Sequence, residues 1–76
     1  MINLKNKKLI TAFGKRVREL REKKELSMRH LADLADIEYS QLAKIETGKI
    51  NTTISTAFAI SKALEVPLDK LFKFEI

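Results

Sequence analysis

Between Leu26 and Lys49 the apolar residues are spaced as two short helices that pack on each other across a tight turn. Leu31, Ala32 and Ala35 share one helical face, with Leu34 at its edge, and Leu42 with Ile45 form a second such face. Ala32 is small, as a close helix crossing requires. Ser27 is a good N-cap for a helix over Met28 to Ala35, because its hydroxyl accepts a bond from an early backbone N–H. Asp36 then stands where a left-handed residue redirects the chain, a conformation aspartate tolerates better than most residues. Ile37 fills the inside of the turn. A further helix is predicted over Glu38 to Glu46, with Gly48 as its C-terminal stop. Its outer face stays polar, carrying Tyr39, Ser40, Gln41 and Lys44.

The rest of the chain supplies helices around this pair. Ile10, Phe13, Val17 and Leu20 fall at helical spacing, which predicts a first helix over Leu9 to Lys24. Gly14 within it costs about 1 kcal/mol relative to alanine, and a close approach by another helix would account for it. Residues 1–8, with Lys5, Lys7 and Lys8, read as a loose basic arm ahead of one domain over residues 9–76. Thr53 can cap a fourth helix that carries Ile54, Ala57, Phe58, Ser61 and Leu64 and runs to Leu64. Val66-Pro67 breaks it, and Leu68 to Phe72 gives a short last helix. The expectation is all-α, five helices and no strand, with Phe13, Phe58 and Phe72 in the core.

Size and composition narrow the functions. A chain of 76 residues makes one small domain, which buries only about 60% of its unfolded surface. There is no cysteine and one histidine, His30, so neither a disulfide framework nor a structural zinc site is expected. No catalytic constellation surrounds His30, no cofactor is implied, and an enzyme is not expected. The chain lacks an apolar run of membrane-spanning length and a signal-peptide core, which makes cytoplasmic residence the expectation. The net charge is +5. Residues 1–24 carry nine Lys/Arg against two acids, and residues 25–76 carry six against eight, so the positive charge sits at the N-terminal end. Such a surface suits a polyanionic partner or is simply a solvated helix face.

Residues 14–72 resemble the lambda-repressor-like helix-turn-helix family of phage repressors, Cro proteins and small bacterial regulators, the XRE type. The likeness is carried by Gly14-Lys15-Arg16-Val17-Arg18-Glu19-Leu20-Arg21 leading into Leu26-Ser27. It continues through Leu31-Ala32, Ile37, Ile45-Glu46, Gly48-Lys49 and Ala63-Leu64, then Val66, Leu68 and Leu71.

The resemblance implies that the third helix enters a DNA major groove. Glu38, Tyr39, Ser40, Gln41 and Lys44 then match the base-reading positions. Chemically, Gln41 suits adenine N6 and N7, Lys44 suits guanine O6 and N7, and Glu38 can only accept from cytosine N4. Ser27, Met28 and Arg29 at the start of the second helix, and Lys49, Asn51 and Thr52 after Gly48, match phosphate-contacting positions. Methionine at position 28, where many relatives have glutamine, removes a side-chain donor, and Glu38 replaces the usual serine or threonine. Arg21 and Glu46 match an ion pair that fixes the angle of the recognition helix.

The function implied is a transcription regulator, such as a repressor, that binds a pseudo-palindromic operator in double-stranded DNA as a homodimer. Val66, Leu68, Phe74 and Ile76 are the expected dimer contacts, and no small-molecule ligand domain is expected. Restriction-modification controllers and antitoxins share this size. The alternative reading is a protein-interaction module, an antitoxin or adaptor, with a toxin or other protein as its partner.

Overall fold

The computed structural model describes residues 6–76 and contains five helices in chain order. These are α1 (Lys7–Lys23), α2 (Met28–Ala35), α3 (Tyr39–Glu46), α4 (Ile54–Leu64) and α5 (Leu68–Leu71). No strand occurs among the described residues. α1 packs on α3, α2 packs on both α3 and α4, and α5 closes the structure against α4 and α1.

The helix starts follow the local chemistry. Ser27 Oγ accepts from the His30 N–H at 3.0 Å and Thr53 Oγ1 accepts from the Thr56 N–H at 3.1 Å, both as N-caps. α1 begins earlier than its apolar spacing indicates, because Asn6 Oδ1 accepts from the Leu9 N–H at 3.0 Å. Lys7 and Lys8 therefore belong to the first turn of α1 rather than to a loose arm. Lys5 lies outside the described residues.

The helix ends share one device. Glu25, Asp36 and Glu65 each adopt φ 57° and Gly48 adopts φ 71°. In every case the next residue's N–H bonds back to a carbonyl five positions earlier: Leu26 to Arg21, Ile37 to Ala32, Lys49 to Lys44 and Val66 to Ser61. These bonds satisfy carbonyls that a helix end otherwise leaves open. Leu26, Ile37 and Val66 then pack partly against the core. The three corners are thus fixed by a backbone bond and an apolar plug together.

The core joins all five helices: Val17 and Leu20, Leu31, Leu42 and Ile45, Ile60 and Leu64, and Leu71 are buried. Each such side chain contributes on the order of 1.5–3 kcal/mol relative to exposure. Phe13 is buried as expected, but Phe58 is 52% and Phe72 50% exposed, and Ile54 is 84% exposed. α4 is apolar over too wide an arc for all of it to turn inward. Ala57, Ile60, Ser61 and Leu64 take the inner face, leaving Ile54 and Phe58, one turn apart, outside. Phe72 covers Phe13 with ring centroids 5.2 Å apart, has Phe74 as a second ring neighbour at 6.3 Å, and stays half exposed.

Candidate nucleic-acid interface

α2 and α3 are separated only by the corner Asp36-Ile37-Glu38. α3 buries Leu42, Ile45 and Glu46. That leaves Tyr39, Ser40 and Lys44 exposed and Gln41 half-buried on the outside. Glu38 is the N-cap residue of α3, yet its side chain makes no capping bond. Its carboxylate therefore belongs to the surface and not to the helix.

The inward side of α3 is tied to α1 at two points. Arg21 Nε donates to Glu46 Oε2 at 2.7 Å and Nη2 donates to Oε1 at 3.1 Å, a bidentate pair. Nη1 donates to the Leu26 carbonyl at 2.8 Å, so one guanidinium joins α1, the α1–α2 corner and the end of α3. The Arg21 and Glu46 side chains are only 12% and 4% exposed. The hydrogen bond to Glu46 raises the Arg21 pKa further above its ordinary value, and burial opposes that shift. The second point is Gly14, where a Cβ would drive far into the Ile45 carbonyl oxygen and reach 3.0 Å from that of Glu46. The backbones of α1 and α3 touch here, which is why the position is glycine.

The flanking candidates fall on both sides of α3. Ser27 and Arg29 are exposed at the start of α2, while Met28 is partly buried and packs against the core. Lys49 and Asn51 are exposed and Thr52 half-buried in the loop after Gly48. Of the four expected dimer contacts, Val66, Leu68 and Phe74 pack partly on the chain's own core, and Ile76 alone is exposed. Among the described residues no group of three or more His, Cys, Asp or Glu side chains is arranged to hold a metal ion.

Two contacts had no sequence signal. Arg16 Nε donates to the Lys70 carbonyl at 2.8 Å and pins α5 to α1. Arg29 stands over the Tyr39 ring, 5.2 Å from its centroid. Neither pair recurs at a helical period, so only the fold brings them together.

Two short helices meeting at a tight corner, the second with a buried inner face and a polar outer one, define a helix-turn-helix unit. A family model described as Helix-turn-helix matches residues 17–71, and the chain belongs to this lambda-repressor-like, XRE-type family of DNA-binding transcriptional regulators, which are not enzymes. It is 34% identical over 61 residues to the HTH-type transcriptional regulator PuuR of Escherichia coli (strain K12), a match covering 80% of this chain. The chain spans only 33% of the length of that relative. Among solved structures it resembles the restriction-modification controller protein C.AhdI from Aeromonas hydrophila. That likeness has 34% identity and a TM-score of 0.81, covering 86% of this chain and 97% of that one. The clp gene regulator ClgR from C. glutamicum shares the fold at 22% identity and a TM-score of 0.81, covering 84% of this chain and 83% of that one. No helix among the described residues is long and apolar enough to cross a membrane.

Proposed function

We propose that the chain is a transcription regulator that binds a pseudo-palindromic operator as a homodimer, with α3 of each protomer in a major groove. The observation that carries this reading is the two-sided α3. Its inner residues are locked to α1 by Arg21 and Gly14, while Tyr39, Ser40, Gln41 and Lys44 are presented outward. Base-reading side chains on a rigid support are what direct readout requires. Ser27, the backbone of Met28, and Lys49, Asn51 and Thr52 would grip phosphates on either side. The match to C.AhdI over 97% of that protein's length supports a restriction-modification controller among the possible subtypes.

Selection of bound duplexes from a random pool at near-physiological salt tests the reading. The expected result is an enriched pseudo-palindrome with half-site centres about one helical turn, ~34 Å, apart. Replacing Gln41 and Lys44 with alanine together should flatten the base preferences at the positions they read, by about 1–3 kcal/mol per lost pair. A folded wild-type chain that enriches no sequence would shift the function to a protein-interaction module.

Besides Val66, Leu68, Phe74 and Ile76, the structure offers a second candidate dimer surface. Leu9, Ile54 and Phe72 surround an apolar groove whose floor includes Ile10, Phe13 and Ala57. Asn51 and Thr52 form part of its wall, so a second copy seated there lies beside the phosphate-gripping loop and along the DNA. The domain measures 39 × 23 × 19 Å. With the long axis along the DNA, two such bodies abut when their third helices lie about 34 Å apart. Ile54→Glu changes a residue 84% exposed in the single chain, so the domain should stay folded. It should sediment as a monomer at high micromolar concentration and lose cooperative operator binding. Wild-type protein that is monomeric with and without DNA would refute the dimer.

A further inference from the structure

Arg29 on α2 and Tyr39 on α3 meet across the corner between the two helices. The guanidinium carbon is 5.2 Å from the ring centroid, inside the roughly 6 Å over which an aromatic face attracts a cation. Both side chains are exposed, so the stack sits at the surface where α3 begins. Arg29 makes no ion pair or side-chain hydrogen bond among the described residues, although Asp33, Asp36 and Glu38 line the same depression. Its planar set of five N–H donors is held in place and left open.

We propose that Arg29, positioned by Tyr39, reads the guanine of a G·C pair in each half-site, while Glu38 accepts from N4 of the paired cytosine. This rests on the DNA-reading function above, and it makes a helix-two residue a determinant of sequence specificity. In a DNA complex a guanidinium fork matches either a phosphate or the O6/N7 edge of guanine. The surroundings decide between them. A phosphate at Arg29 would bring its charge beside the carboxylates of Asp33, Asp36 and Glu38, whereas a guanine edge carries no net charge.

Glu38 adds the second half of the match. Its carboxylate caps no helix, and the one base-edge group it can accept from in the major groove beside a guanine is cytosine N4–H₂. An A·T pair in the same orientation sets Arg29 against the adenine amino donor and Glu38 against the thymine O4 acceptor. The guanidinium fork then keeps only the N7 acceptor, and Glu38 meets acceptor with acceptor. The two positions form one reading unit because they border a single depression from opposite sides of the corner.

Duplex selection with wild-type protein, Arg29→Ala, Tyr39→Phe and Tyr39→Leu, followed by titration of matched and altered duplexes, tests this. Wild type should hold one fixed G·C column in each half-site. Arg29→Ala should relax that column alone, by about 5–150-fold in preference, with the other columns kept. Tyr39→Phe retains the stacking ring and should keep the column, and Tyr39→Leu should weaken it. Uniformly weaker binding by Arg29→Ala, with the motif unchanged and the salt slope smaller by about 0.9, would make Arg29 a phosphate contact and overturn the proposal. That result leaves the operator-reading function standing. A wild-type chain that enriches no motif overturns both.

Discussion

Glu46→Ala is expected to lower the unfolding free energy by about 3–5 kcal/mol, because it leaves a buried guanidinium without its counter-charge. Of its three hydrogen bonds Arg21 would keep only the one to the Leu26 carbonyl. A domain of 76 residues holds on the order of 4–11 kcal/mol in total, so the variant should be close to unfolding at 37 °C. Urea denaturation followed by circular dichroism measures the loss, and a change under about 1 kcal/mol would show the pair to be incidental. The same site separates stability from positioning. Arg21→Met combined with Glu46→Leu replaces the pair by apolar bulk, which is often neutral or stabilising. If the pair sets the angle of α3, this double variant should fold well yet bind the operator more weakly.

Gly14→Ala is expected to reverse a familiar sign. In an open helix interior the change gains about 1 kcal/mol. Here the new methyl meets the Ile45 and Glu46 carbonyls, which are backbone atoms and cannot rotate away. α1 and α3 must separate, and the net loss should be about 1–3 kcal/mol or more, as for other overpacked sites. A variant of unchanged or higher urea midpoint would show that the two helices part without cost. Gly14 lies opposite the same end of α3 that Arg21 holds, so weakened operator binding should accompany the lost stability.

The order of the five helices was legible because their inner faces recur at the helical period and their caps are chemically explicit. Ser27, Asp36 and Thr53 each occupy the place their side chains suit, and Gly48 the place its missing Cβ suits. Glu25 and Glu65 adopt the same left-handed turn as Asp36, but glutamate carries no local preference that would announce it. Asn6 precedes the apolar repeat and carries no periodic signal, although its cap sets the start of α1. α4 shows the limit of periodicity most clearly. Ile54 and Phe58 are as apolar as Ile60 and Leu64, and the positions of α1, α2 and α5 decide which pair turns inward. The same holds for the candidate interface. Residue type and order pointed to α3, whereas the meeting of Arg29 with Tyr39 depends on how two helices cross.

The outward side chains of α3 are not the ones that hold it in place. Among the described residues, Ser40, Gln41 and Lys44 donate no side-chain hydrogen bond to the rest of the fold. The chain can therefore change its vocabulary without changing its grammar. Substitutions at the exposed Ser40 and Lys44 should cost the fold little, so new target sequences are reachable one residue at a time. The same separation makes the domain a practical scaffold for reprogramming, with Arg21, Glu46 and Gly14 left untouched as its fixed frame.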